Sequence, residues 1–181
     1  VSSQAGAFAE GMRASGVIPT YKHFPGLGRV TANTDTSANV VDSTTTRSTD
    51  AAVGVFASAI AAGAQVIMVS SATYALIDPS APAVFSSTIV TDMLRTEMGF
   101  SGVVITDDVS AATQVQGVAA GERAVRAVRA GCDIVLASAD PTVAADMVKA
   151  LIAAAQSDPA FAARVDESAA RVLALKGGLQ S

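Results

Sequence analysis

The sequence predicts an α/β domain whose strands are parallel. Three observations lead there. Helix-like and strand-like segments alternate along most of the 181 residues. The strand-like segments are short apolar runs, as parallel strands covered on both faces require. Polar residues collect where those runs end, the place at which parallel α/β folds bind ligands. Alternation of this kind gives right-handed crossovers between neighbouring strands. It does not choose between an open doubly wound sheet and part of a (β/α)8 barrel.

Each element follows from local pattern. Ala5 to Ala14 reads as a helix with Ala5, Phe8, Ala9 and Met12 on one face. "GVIPTYKHF" is the first strand. The stretch from Pro25 to about Thr46 has no apolar periodicity and is rich in Thr, Asn, Ser and Asp, so it reads as a long functional loop. Ser48 to Ala62 is the next helix, and "AQVIMVS" the second strand. "DPSAPAVFS" is a turn-rich connection. Ser86 is the expected N-cap of a helix running to Met98, which Gly99 ends. "SGVVITDD" is the third strand, Gly117 to Ala130 a helix closed by Gly131, and "CDIVLAS" the fourth strand. Pro141 suits the first turn of the following helix, and a last helix covers about Val165 to Leu175.

Composition removes several classes of function. Half of the residues are hydrophobic and 15% are charged, enough apolar material for a core. The net charge of −4, with no basic block and few aromatics, argues against nucleic-acid binding. The lone Cys132 lies in the apolar run "AGCDIVLAS" and is expected in the core. No window reaches the ~18 apolar residues of a membrane span. "GLGRVT" holds only half of the G-x-G-x-x-G fingerprint, so a dinucleotide site is not expected. No cofactor or metal is called for. The chain opens directly in a helical pattern without an initiating Met. A processed product and a fragment are both open, and a secreted or cell-wall location is preferred over the cytoplasm.

The polar strand ends are Lys22 and His23, Ser70 and Ser71, Asp107 and Asp108, and Ser138 with Asp140. Each has a plain structural use, as a helix cap or a satisfied polar group. Their coincidence at one end of successive strands favours a shared site, because gathering Asp, Lys and His in one pocket costs desolvation that packing alone does not require.

At this point "KHFPGLGR" and "DTS", then "FSSTIVTDMLRTEMGFSGVVITDDVSAA", "RAVRAGCDIVLAS" and "ESAARVLALKGGL" resemble glycoside hydrolase family 3. The likeness is greatest to its single-barrel bacterial β-N-acetylglucosaminidase branch and runs over nearly the whole chain. The resemblance implies the C-terminal half, about strands five to eight, of a (β/α)8 TIM-type barrel, with the N-terminal half absent from this chain. It implies retaining hydrolysis of a terminal β-linked sugar, with N-acetylglucosamine the sugar its nearest branch points to, Asp107 as nucleophile and Lys22 and His23 gripping sugar hydroxyls. Asp108 would be a supporting acid turned away from the sugar. It also implies a cis peptide at Phe24–Pro25.

Two departures qualify the likeness. Ser37 stands where the family's Asp–His pair has its His, which leaves Asp35 as the candidate acid/base, or none at all; Ala111 stands where a Met is common. A hydroxyl cannot protonate a leaving group at a useful pKa. The alternative is therefore a sugar-binding or cell-wall-associated protein without catalysis. Whole barrels take ~250 residues, so the isolated chain is expected to self-associate or to pair with its missing half. The loop 26–46 is expected to be mobile without ligand and to fold over the sugar.

Overall fold

The computed structural model describes residues 2–47 and 49–178. The order is α1 (Ser2–Ala14), β1 (Thr20–Phe24), β2 (Val41–Asp42), α2 (Ala51–Ala61), β3 (Val66–Val69), β4 (Thr73–Tyr74) and β5 (Asp78–Pro82). A π-helix (Thr88–Glu97) then leads to β6 (Val103–Asp108), α3 (Ala120–Ala130), β7 (Ile134–Leu136), α4 (Ala144–Ser157) and α5 (Pro159–Gly177). β1, β3, β6 and β7 form one sheet in that spatial order, every pairing parallel. Each new strand adds on the same side as the last. The reversal of order that marks a doubly wound sheet is therefore not found among the described strands. Among the described residues, β1 and β7 are the outer strands and pair on one side only.

The predicted elements are present with shifted limits. The residue proposed to start the second helix, Ser48, lies outside the described residues. Within them Asp50 caps α2, its carboxylate accepting from the Ala52 N–H at 2.8 Å. Ser86 Oγ accepts from the Ile89 N–H, as an N-cap does, but the helix behind it is wound as a π-helix: the Met98 N–H reaches back to the Met93 carbonyl. α5 begins earlier than expected, at Pro159, because Asp158 supplies a side-chain cap to Ala160 and Phe161. The connection "DPSAPAVFS" is not only turns. Its β5 joins β2 and β4 in a small second sheet, with β4 antiparallel to β5.

The core lies between the four-stranded sheet and its helices. Phe24, Ile67, Val69 and Val104 from the strands meet Phe56 of α2, Met93 and Leu94 of the π-helix and Ala124 and Ala127 of α3. Phe24 and Phe56 meet edge to face at 5.2 Å. Cys132 is fully buried there, and desolvation pushes its thiol up to about 12, so it is an inert apolar filler. Of the predicted α1 face only Ala9 is buried; Phe8 is exposed beside a groove between α1 and β1.

At the N-terminal end of β7, Asp133 joins three elements. Its carboxylate is buried and accepts from Arg95 of the π-helix at 2.5 Å and from Arg164 and Arg171 of α5 at 2.6 and 3.1 Å. Ser168 and the Val104 N–H complete its shell. Arg95 also donates to the Gly102 and Gly131 carbonyls. This end of the sheet is closed by ionic contacts, and the other end is open.

Candidate active site

Because the four strands are parallel, all their carboxyl ends lie at the open end. There a cavity of about 380 Å³ is lined by Lys22, Asp35, Asp107, Asp108, Ala111 and Ser138, with Met68 and Leu136 as apolar walls. A cavity of about 430 Å³ lies elsewhere, between β7, α4 and α5, but its walls are almost wholly apolar and its one acid, Asp133, is spent on the arginines.

β6 delivers two adjacent acids that both line the cavity, so Asp108 is not turned away from it as strand alternation alone suggests; their hydrogen-bond partners give them different uses. Asp107 points into the cavity, its Oδ2 3.9 Å from His23 Nε2. Burial raises its pKa above the ordinary carboxylate value, and the charge of Asp35 adds to the rise; the Asp108 N–H, His23 and Lys22 oppose it. Asp108 is buried and saturated with donors. Its carboxylate accepts from the N–H groups of Ala111, Ser138 and Ala139 and from the Ser110 and Ser138 hydroxyls. Burial works against ionisation, but these donors outweigh it and hold the pKa at about 2. Asp108 is thus a fixed anion that ties β6 to the turn after β7.

β1 supplies Lys22 and His23. Lys22 lines the cavity together with Asp107, and His23 stands beside that acid. The Phe24–Pro25 peptide is cis, as expected, and the Lys22–His23 peptide is cis as well. Burial lowers the pKa of His23, Asp107 pulls it back up, and Lys22 lowers it further. The net fall keeps the imidazole neutral at pH 7, able to donate one hydrogen bond and accept another.

The loop after β1 brings Asp35 to the cavity from the other side. Its ends are fastened. Tyr74 Oη donates to the Gly26 carbonyl at 3.1 Å. Arg29 bridges Thr45 and Asp50, and buried Asp42 accepts from the Thr44 and Thr45 N–H groups and the Thr45 hydroxyl. Asp35 itself is exposed; its N–H donates to Asn33 Oδ1, and its carbonyl accepts from Thr113. The Ser37 N–H donates to the Asn33 carbonyl.

Lys22, His23, Asp35 and Asp107 are therefore brought together. Ser70, Ser71 and Asp140 are not. Ser70 Oγ and Asp140 Oδ1 accept from the N–H groups of Ala72 and Thr142 as local turn and cap groups, and Ser71 is buried. Met68, Leu136 and Ala139 carry no chemical signal in the sequence; only strand register shows them at the cavity. Among the described residues no three His, Cys, Asp or Glu side chains gather as a metal site, and no helix is long and apolar enough to cross a membrane.

Residues 1–175 match the profile of the "Glycosyl hydrolase family 3 N terminal domain". The chain belongs to glycoside hydrolase family 3. Among solved structures, the family 3 chain is similar to a β-N-acetylhexosaminidase from Beutenbergia cavernae, with 61% identity and a TM-score of 0.96 over 97% of this chain and 52% of that one. A family 3 β-N-acetylglucosaminidase from Paenibacillus is 30% identical, with a TM-score of 0.88 over 97% of this chain and 34% of its own. An uncharacterized secreted glycosyl hydrolase of Arthroderma benhamiae is 35% identical over all of this chain and 52% of its own length. A beta-hexosaminidase of Xylella fastidiosa is 41% identical over 75% of this chain and 40% of its own. The chain spans about half the length of such relatives, or less.

Proposed function

We propose that this family 3 chain carries the nucleophile side of a retaining β-N-acetylhexosaminidase acting on terminal β-linked N-acetylglucosaminides. The observation that carries the reading is Asp107: a half-buried carboxylate at a strand tip, 3.9 Å from His23, in one cavity with Lys22 and Asp35. In the first step an Asp107 oxygen attacks the anomeric carbon as the glycosidic C–O bond breaks, and Asp35 gives its proton to the departing oxygen. In the second, Asp35 takes a proton from water, whose oxygen displaces Asp107 from the glycosyl ester. Lys22 and His23 hold the sugar hydroxyls. The saturated Asp108 takes no part in proton transfer. The 61% identity to a β-N-acetylhexosaminidase supports the sugar class.

The four parallel strands form strands five to eight of a (β/α)8 barrel whose other half completes the sugar site. The open outer edges of β1 and β7 and the single direction of strand addition support this. A location outside the cytoplasm belongs to the same reading, supported by the secreted fungal relative.

The test uses the full-length protein and a fluorosugar that traps the glycosyl ester, read by peptide mass. The label is expected on the Asp107 peptide, absent in Asp107→Asn and retained in Asp108→Asn; the opposite pattern overturns the assignment. Asp35→Ala is expected to slow glycosides with poor leaving groups by roughly 10²–10⁴-fold, to spare activated aryl glycosides and to be partly rescued by azide. Equal loss on both substrates removes Asp35 from the acid/base role. No cleavage of an activated aryl glycoside by the wild type would leave sugar binding without catalysis.

A further inference from the structure

Resting on the reading of Asp35 as acid/base, we infer that Gln114 and Thr113 are positioning residues that latch the Asp35 loop onto the strand carrying the nucleophile. A short 3-10 turn, Thr113–Val115, follows β6. The Thr113 N–H and hydroxyl both donate to the Asp35 carbonyl, at 3.1 and 2.9 Å. The Gln114 N–H donates to the Thr34 carbonyl at 3.1 Å. The Gln114 side chain then acts as a neighbouring strand would. Its Oε1 accepts from the Val40 N–H at 2.8 Å and its Nε2 donates to the Val40 carbonyl at 3.3 Å.

These bonds bracket the acid. Thr34 and Val40, on either side of it, are each 3% exposed, so the latch works where water competes little. The turn is itself rigid: Val115 is buried and Gln116 Nε2 donates to the Ser110 carbonyl, while Ser110 Oγ donates to Asp108. A continuous run of bonds thus joins the backbone of the proton donor to the residue beside the nucleophile. Asp35's carboxylate is free in the cavity mouth, and the bonds that fix its place are those of its backbone. Retaining chemistry needs the two acids ~5–5.5 Å apart, and a misplacement of ~1 Å costs about 10²-fold. An amide offers both a donor and an acceptor at the end of a side chain of this length, whereas an ionised Glu offers acceptors alone and Leu neither.

The test compares kcat/KM of the full-length protein on an alkyl and a nitrophenyl N-acetylglucosaminide. Gln114→Ala is expected to lose roughly 10- to 100-fold on the alkyl glycoside and to keep its rate on the nitrophenyl one. Thr113→Val, at an exposed side chain, and Gln114→Glu, which keeps the acceptor alone, should lose less in the same direction; they carry the test should Gln114→Ala fail to fold. In an Asp35→Ala background, Gln114→Ala should cost nothing further on the alkyl glycoside. Equal loss on both substrates, no loss on either, or additive loss in that background overturns the latch while leaving Asp35 as acid/base. Asp35→Ala losing both substrates equally overturns the acid/base reading, and the latch with it.

Discussion

Asp107 and Asp108 are chemically identical and adjacent, yet their surroundings push them in opposite directions. Asp107 is half-buried with few donors, so burial raises its pKa. Asp108 is buried more deeply but surrounded by N–H and O–H groups, and it stays ionised down to about pH 2. Its depressed folded-state pKa makes a stability contribution that is fully present above the unfolded value of 3.8 and is lost as pH falls through about 2. The melting temperature of the wild type should therefore fall more steeply between pH 4 and pH 2 than that of Asp108→Asn, which has no charge to lose. Parallel curves for the two proteins would show that Asp108 contributes nothing through its ionisation. The pair of acids at the end of "GVVITDD" was legible in the sequence, but alternation along the strand did not separate them, since both line the cavity. The donors that hold Asp108 were not legible, because those from Ser138 and Ala139 come from the turn after another strand.

At the scale of elements, the turns that close helices fix how tightly the helices pack. Gly131 ends α3 with φ 121°, a conformation that side chains rarely adopt, and a Cβ there would lie 2.6 Å from Thr91 Oγ1 and 3.1 Å from Val90 Cγ1. Strain and overlap act together in Gly131→Ala, which should lower unfolding free energy by about 1–3 kcal/mol in denaturant titration; a change of a few tenths would mean that the π-helix yields easily. The four strand-and-helix units were readable because apolar runs and Gly stops repeat along the chain. The second sheet was not: β2 and β4 have two residues each, too few for any period to register. The π winding of 88–97 also has no sequence mark. Gln114, in a polar turn without motif, is recognisable only once Val40 is seen opposite it.

Over the whole molecule, the four-stranded sheet has two open edges, each beside an apolar groove. The groove along β1 is lined by Phe8, Met12 and Phe56, and the one along β7 by Met147, Leu151 and Val172. Exposed Val148, Ile152 and Leu173 extend the apolar surface of α4 and α5. Open edges and apolar patches favour association. The 181-residue chain prepared alone should sediment as more than a monomer, and, on the half-barrel reading proposed above, a co-expressed complementary half should return it to a single heterodimer. A sharp, reversible unfolding transition of a lone monomer would contradict this. The sheet's other end has a different consequence. Val104, near the start of β6, donates to Asp133, and Asp107 sits three residues later, ~10 Å along an extended strand. Anchorage and chemistry are thus parted along one strand. A descendant could alter the cavity rim, for example at Ala111, while inheriting its foundation unchanged. Novelty at one end is insured by three arginines at the other.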